Sequence, residues 1–331
     1  SMIIHSLSSY IIDIFDRSIR SNPTLHKLAR IGGKKLEQKI QHNAKTWERL
    51  SKNVIVINGL NPGSHTLQGT NTYLIGTGAK RILIDTGEGV NDYLSLLREA
   101  MDENGCTEIS EILLTHHHED HIGGVSGILG MFASCQVFKR KPSHDLRETC
   151  PFPYNDISNN QVFKVDGVHL RSWETPGHTS DHISFVLEEE NALFGGDTIL
   201  GCGTSIFDDL STYMKTLEEI LSVCWTTDKL SENSPRSLPI KIIYPGHGPV
   251  ISDPRSKIEF YLSHRYEREE QILKQFKGNE KISSLQLTKR IYGKLSVPIL
   301  IGAHHNVMQH LKKLIGERKI EEVRWAPCTY T

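Results

Sequence analysis

Short apolar runs separated by polar turns mark the chain between residues 54 and 85. The runs at 54–57, 70–75 and 81–85 are rich in Val, Ile and Leu, and the turn Asn61-Pro62-Gly63 separates the first two. This pattern predicts a meander of short strands. Residues 91–101 then repeat apolar positions every three or four residues, which predicts a helix after the meander.

Strands alternate with helices through the rest of the middle of the chain. A helix is expected at 126–131, and further strands are expected at 112–114, 136–138, 168–173, 183–187, 192–194 and 240–244. Strands with helices on their outer faces imply an α/β layered domain, which we place at residues 51–253. The polar insert 226–239 has no apolar periodicity and is expected to be a loop.

Both ends of the chain are predicted to be helical. Residues 1–50 place apolar side chains at helical spacing from Leu7 onward, which is typical of a targeting segment or of a helical extension packed on the main domain. From residue 254 we expect three helices, with Ser283 or Ser284 capping the middle one, and a short strand at 319–324. This order predicts a winged-helix-like module at 254–331, although helices that cap the main domain would give a similar pattern.

Length and cysteine spacing narrow the class of protein. A chain of 331 residues can bury a large core without disulfides. Its six cysteines are scattered without C-x-x-C spacing, which argues against a disulfide framework and a zinc ribbon and favours a reducing compartment, the cytoplasm or the mitochondrial matrix. No apolar stretch reaches the roughly 18–20 residues of a membrane-spanning helix, so no membrane partner is expected.

Charge is distributed unevenly along the chain. The total is -1, but residues 1–50 carry +5, residues 51–253 carry -13 and residues 254–331 carry +7. An acidic middle suits metal-binding carboxylates, and basic ends can attract polyanions. Ordinary solvated helix faces would produce the same numbers, so the charge alone leaves both interpretations open.

Potential metal ligands are most concentrated in the ten residues from Thr115 to Gly124, at the end of an apolar run. Four strand ends each deliver residues of metal-ligand type, and Pro-Gly pairs turn two of the histidines outward. We predict that His116, His118 and His178 hold one ion, that Asp120, His121 and His247 hold a second, and that Asp197 bridges them. The expected cofactors are two divalent metal ions, with Zn²⁺ as the expected metal.

Other polar residues near these strand ends are candidates for supporting roles. Asp120 is a catalytic candidate because it can orient the attacking water, and His182 because it can protonate the leaving oxygen. Asp85 is expected to brace the site, and Asn71 is a candidate for substrate binding. His117, between two predicted ligands, is expected to point away from the ions.

The spacing His116-x-His118-x-Asp120-His121, with the later His178, Asp197 and His247, resembles the signature of the metallo-beta-lactamase superfamily. This resemblance implies a four-layer αβ/βα sandwich over about residues 50–250, with a two-metal site at the edge where the two sheets meet. Since His121 stands where common antibiotic-hydrolysing relatives have Cys or Arg, beta-lactam hydrolysis is not expected.

Within the superfamily the chain is similar to the beta-lactamase-like protein 2 endoribonuclease group, which is known from mitochondria. The similarity lies in the stretches 61–63, 66–74, 175–179, 187–192 and 244–248. Fungal thioesterases that release polyketides share these stretches, and the run Thr-His-His-His resembles glyoxalase II, so the resemblance leaves the substrate open.

The expected activity is metal-dependent cleavage of single-stranded RNA phosphodiesters, by a monomer or homodimer whose basic residues 254–331 supply binding affinity rather than chemistry. The alternative is a thioesterase of the glyoxalase II or acyl-carrier type. A binding module with a purely structural metal is disfavoured, because structural zinc sites are closed and dominated by Cys and His.

Overall fold

The computed structural model describes residues 47–63, 65–142, 150–224, 239–276, 281–295 and 297–321. The predictions for residues 1–46 and for most of the polar insert 226–239 fall outside these ranges. Among the described residues no helix has the length and apolar character needed to cross a membrane. Among the described cysteines, Cys106, Cys135, Cys202 and Cys224 are free thiols.

Twelve strands in the described ranges form two sheets. The first contains β1 Trp47–Arg49, β2 Val54–Asn58, β3 Asn71–Ile75, β4 Lys80–Ile84, β5 Glu108–Leu114, β6 Gln136–Lys139 and β7 Asn155–Asp156, paired in chain order. Its first four strands are antiparallel neighbours, and β4 to β7 pair in parallel.

The second sheet has the order β12-β11-β10-β9-β8. Its strands are β8 Val162–Val165, β9 Val168–Glu174, β10 Ile183–Leu187, β11 Ala192–Gly196 and β12 Ile242–Pro245. The helices of the described chain are α1 Asn91–Glu103, α2 Glu119–Ile122, α3 Val125–Met131, α4 Leu210–Val223, α5 Pro254–Leu273, α6 Ser284–Tyr292 and α7 Val297–Gly316.

The two sheets pack face to face, with helices on both outer sides. Successive side chains of a strand point to opposite faces of its sheet, so one strand can contribute to two cores. In β3, Tyr73 and Ile75 pack in the core between the sheets, and Leu74 packs in the core under α1 and α3. A third core lies between the second sheet and helices α4 and α5. Fully burying an aliphatic side chain stabilises the fold by about 1.5–3 kcal/mol, so the apolar side chains of all three cores contribute to stability. The four-layer αβ/βα sandwich is confirmed.

Helix α5 belongs to two cores. Asp253 caps its start by accepting a hydrogen bond from the Ser256 amide at 3.1 Å. Its first half buries Ile258 and Tyr261 against the second sheet, whereas Ile272 near its end joins a small core with α6 and α7. The helix therefore connects the layer next to the second sheet to the C-terminal helices through a continuous backbone.

The C-terminal helices follow the sequence pattern in part. Ser283 forms a capping box with Gln286 at the start of α6, which confirms one of the two predicted caps. The strand expected at 319–324 is absent from residues 319–321, where Lys319 instead closes a turn by donating its amide to the Leu314 carbonyl at 2.9 Å. Residues 322–324 lie outside the described part of the chain.

The two sheets are joined by hydrogen bonds at one edge. The Ile183 amide donates to the Thr115 carbonyl at 2.8 Å, and the Asn71 amide donates to the Gly246 carbonyl at 2.7 Å. These bonds fix the ends of strands from both sheets next to each other. The loops that follow those strand ends therefore meet at this edge.

Candidate metal centre

Three histidine nitrogens converge at the edge where the sheets meet. His116 and His118 lie on the loop that leaves β5, and His178 lies on the turn that leaves β9. His116 Nε2 is 2.9 Å from His118 Nδ1, and His178 Nε2 is 3.3 Å and 3.1 Å from these two atoms. The structure thus brings together the first predicted ligand set.

These separations suit a shared cation. Zn–N bonds of about 2.0–2.1 Å in tetrahedral geometry place two ligand nitrogens about 3.3–3.4 Å apart. Burial, together with the neighbouring imidazoles, holds the pKa of His116 well below its usual value, and the same causes act on the pKa of His118. Both rings are therefore neutral, which is the form that binds a metal ion.

The second predicted set converges beside the first. Asp120 Oδ2 lies 3.3 Å from His121 Nε2 and 3.2 Å from His247 Nε2. Burial disfavours charge on both rings, but the nearby carboxylates outweigh it, so the pKa of His121 lies well above its usual value and that of His247 rises to about 10. The carboxylates around this set therefore favour a positive charge close to them, which a bound cation can supply.

Asp197 lies between the two sets. Its Oδ2 is 3.3 Å from His247 Nε2 and 3.8 Å from His178 Nε2, and its Oδ1 is 3.4 Å from His121 Nε2. Among the described residues, Asp197 Oδ1 and His121 Nε2 are buried atoms without a hydrogen-bond partner. Buried polar atoms rarely stay unpaired, so these two fit a bound ion. The nitrogen and oxygen donors fit divalent transition metals, and the carboxylate is placed to contact ions in both sets.

The sequence model of the metallo-beta-lactamase superfamily matches residues 65–247, a range that contains all seven converging side chains. The chain belongs to the metallo-beta-lactamase superfamily. It is therefore a hydrolase of this superfamily with a His/Asp cluster positioned to bind metal ions. A second model, the beta-lactamase associated winged helix domain, matches residues 283–325. Both family relationships agree with the sequence analysis.

Relatives in the superfamily are similar over most of the chain. A beta-lactamase-like protein 2 homolog from Drosophila melanogaster is 42% identical and covers 82% of this chain and 91% of its own. An atrochrysone carboxyl ACP thioesterase from Aspergillus novofumigatus is 40% identical, over 78% of this chain and 72% of its own. A metallo-beta-lactamase family protein from Thermus thermophilus, 22% identical, shares the fold with a TM-score of 0.62 over 82% of this chain and 95% of its own.

Asp85 supports His121, one of the predicted ligands, through hydrogen bonds, as the sequence analysis expected. It follows β4 with a left-handed φ of 57°, and its Oδ1 accepts a hydrogen bond from the Thr115 amide at 2.8 Å. Its Oδ2 accepts one from His121 Nδ1 at 2.7 Å. Because His121 Nδ1 carries the donated proton, Nε2 is left to face the ion position.

Replacing Asp85 with Asn should weaken metal binding without removing a ligand. The variant keeps the shape of the side chain but loses the charge that orients His121, and the loss of such a support weakens metal affinity about 10- to 100-fold. Competition with a chromogenic chelator measures this change, and circular dichroism checks that the variant is folded. An unchanged metal affinity would show that Asp85 serves the backbone turn alone.

His182, predicted as a proton donor, lies behind the ligands. Its ring is fully buried and stacks on His116, with ring centroids 5.2 Å apart. Its Nε2 accepts a hydrogen bond from the Asp197 amide at 3.2 Å, and its Nδ1 is 2.8 Å from Thr175 Oγ1. Burial and nearby imidazoles lower the pKa of His182 to about 3, so the ring is neutral. This geometry suits support of Asp197 better than proton transfer to a leaving group.

Asn71, predicted to bind substrate, supports the turn that carries His247. Its Nδ2 donates to the Pro245 carbonyl at 3.0 Å and to the Gly248 carbonyl at 2.9 Å. The preceding residue, Thr70, was not singled out in the sequence, yet its Oγ1 donates to Asp120 Oδ2 at 2.9 Å.

His117 points away from the ion positions, as expected. Its Nδ1 is 2.9 Å from Asp181 Oδ1, and Lys139 Nζ is 2.6 Å from Asp181 Oδ2. Burial would raise the pKa of Asp181, but His117 and Lys139 outweigh it and hold that pKa far below its usual value. Lys139 and Asp181, both buried, were missed in the sequence because a lysine at a strand end gives no local sign of burial.

Proposed function

We propose that the protein is a two-metal endoribonuclease that cleaves single-stranded RNA. The observation that carries this proposal is the position of the basic C-terminal helices against the metal centre. Helix α7 contacts the segment next to His178, since His305 Nε2 lies 3.3 Å from the Phe207 carbonyl and Lys312 Nζ lies 2.6 Å from Asp209 Oδ2. An RNA strand that binds the net +7 charge of residues 254–331 is thereby kept close to the ligands.

The ligand residues would divide the work between two ions. His116, His118 and His178 would hold one, Asp120, His121 and His247 the other, and Asp197 would contact both. When bound, two divalent ions, Zn²⁺ being our expectation, supply a water of lowered pKa and positive charge for an anionic oxygen. The described contacts of Asp120 all use Oδ2, which leaves Oδ1 to orient the attacking water.

The thioesterase is the second candidate because of a specific observation, the 40% identity to an atrochrysone carboxyl ACP thioesterase. The same ligand geometry suits the carbonyl of a thioester, since a two-metal site stabilises negative charge on either substrate. The two candidates therefore differ in the surface that binds the rest of the substrate, not in the ligands.

A direct substrate comparison tests the proposal. Wild type and Asp120→Asn are incubated with single-stranded RNA, double-stranded RNA, single-stranded DNA and an acyl thioester. We expect single-stranded RNA to be cut by wild type and not by Asp120→Asn, whereas Asp102→Asn, the same change on the exposed surface of α1, should cut normally. Thioester turnover with intact RNA would replace the nuclease with the thioesterase.

Neutralising exposed lysines near α6 should weaken RNA binding and its salt dependence. Lys289 and Lys294 are exposed, and each phosphate that is no longer neutralised should reduce the slope of log affinity against log salt by about 0.7 on a single strand. The double substitution Lys289→Gln and Lys294→Gln should therefore reduce the magnitude of the slope by about 1.4, which lowers the affinity about 25-fold at 0.1 M salt relative to 1 M salt. Fluorescence anisotropy over a salt series measures both quantities.

Lys164→Gln, which neutralises an exposed lysine on β8, is the matched control and should leave the slope unchanged. Equal slopes for the double variant and wild type would mean that the strand binds elsewhere. These point variants are preferable to deletion of residues 254–331, because deletion also removes Ile258 and Tyr261 from the core of the second sheet.

A further inference from the structure

The segment between Asp197 and helix α4 touches two of the predicted ligands. Ser205 Oγ donates to the Asp197 carbonyl at 2.5 Å, and His178 Nδ1 donates to the Ile206 carbonyl at 2.7 Å. The Asp208 amide donates back to the Gly177 carbonyl at 2.9 Å, next to His178. We call residues 205–209 the strap. Because the strap accepts the Nδ1 proton of His178, it leaves Nε2 to face the ion position.

Helix α5 holds the strap from below. Arg265 Nη2 donates to the Ser205 carbonyl at 2.9 Å, and the guanidinium lies 4.7 Å from the centroid of the Phe207 ring. One helical turn earlier, Tyr261 Oη accepts a hydrogen bond from the Leu200 amide at 3.0 Å. Residues four apart share one helix face, so this face of α5 follows the chain from the Asp197 turn to the strap.

Arg265 is an unusual anchor because it is only 2% exposed. A buried guanidinium is costly unless it makes hydrogen bonds or contacts an aromatic face, and the strap provides both. Moving the strap would deprive this charge of the Ser205 carbonyl and of the Phe207 ring. Because a buried charge without partners is costly, these two contacts of Arg265 hold the strap in place.

Helix α7 holds the strap from the other side. His305 Nε2 donates to the Phe207 carbonyl at 3.3 Å, and Lys312 Nζ lies 2.6 Å from Asp209 Oδ2. Asp209 also caps helix α4 by accepting a hydrogen bond from the Thr212 amide at 2.8 Å. Helices α5 and α7 thus both contact the five residues that orient His178.

We propose that Arg265 and His305 are positioning residues which, through the strap, set the metal affinity of His116, His118 and His178. The C-terminal helices then do more than bind substrate, because their packing determines whether the first ligand set is in place. This inference rests on the division into two ion sites made in the proposed function. It does not depend on RNA being the substrate.

The test compares Zn²⁺ affinity in variants that isolate each ligand set. In His121→Ala, which retains the first set, Arg265→Met should raise the Kd for Zn²⁺ about 10- to 100-fold, as for the loss of other supports of metal ligands. In His178→Ala, which retains the second set, the same change should have a smaller effect. Arg268→Met is the matched control, because Arg268 lies on α5 over the Tyr292 ring, at 4.3 Å, and should leave both affinities unchanged.

Equal Zn²⁺ affinities for folded Arg265→Met and Arg268→Met in the His121→Ala background would overturn the proposal. If circular dichroism shows that Arg265→Met is unfolded, His305→Ala decides by the same measurement: a weakened first set supports positioning, and an unchanged one refutes it. Absence of Zn²⁺ from His121→Ala itself would count against the two-ion site instead, and the arginine variants are then compared on the otherwise unchanged chain.

Discussion

Asp197→Asn should abolish hydrolysis and release metal from both ligand sets. Asp197 is placed between His178, His121 and His247, so its carboxylate would contact both ions. The amide keeps the size of the side chain but removes the negative charge that would bridge two cations. A two-metal site supplies several kcal/mol of transition-state stabilisation, so the hydrolysis rate should fall by at least about a thousandfold.

Metal analysis of the purified variant, together with a cleavage assay at saturating substrate, measures this outcome. Thermal unfolding with and without added Zn²⁺ provides the control, because the wild type should be stabilised by Zn²⁺ and the variant should not. A variant that loses activity yet retains the full metal content of the wild type would mean that Asp197 acts on the substrate and is not a bridge.

Local sequence signals were sufficient to predict which seven side chains converge at the candidate metal centre. His178 and His247 each follow a strand and a Pro-Gly pair, and such a turn directs the next side chain outward whatever the rest of the fold does. The structure gathers these residues into two groups with the predicted membership, apart from the choice of group for the shared Asp197. Strand ends, turns and ligand types are short-range properties, which a single sequence displays directly.

The supporting residues could not be predicted in the same way. Lys139 and Asp181 are 42 positions apart in the chain and form a buried pair that only the packing of the two sheets creates. His182 was predicted to protonate the leaving oxygen, and Asn71 was predicted to bind substrate. Asn71 instead donates to the carbonyls of Pro245 and Gly248. His182 instead contacts the Asp197 amide and Thr175 Oγ1. These partners lie on other strands and turns, which a local pattern does not identify.

Helix α5 shows why the division of the chain at residue 254 is hard to derive from a pattern. Its buried positions recur at helical spacing along its whole length, with Arg265 and Glu269 between the apolar ends. This spacing is the same whether a sheet or other helices cover them. Tyr261 packs on the second sheet and Ile272 packs on α6 and α7. The coupling of Arg265 to the strap follows from that shared helix and has no counterpart in local sequence.

The two ligand sets should also differ in the pH dependence of their metal affinity. In the protein without metal, carboxylates raise the pKa of His247 to about 10 despite burial, and they raise that of His121 well above its usual value. Below these pKa values each ring is protonated and must lose its proton before it can bind an ion. His116 and His118 have lowered pKa values and are already neutral at neutral pH.

Metal affinity of the second set should therefore fall as pH falls from 9 to 6, by about tenfold per pH unit for each proton displaced. His178→Ala, which keeps Asp120, His121 and His247, isolates this behaviour, and His121→Ala should show a much flatter dependence. Each variant should bind about one Zn²⁺ where the wild type binds about two. Calorimetry in two buffers of different ionisation enthalpy counts the protons released. Identical proton release from both variants would mean that the carboxylates do not charge His121 and His247 before the metal binds.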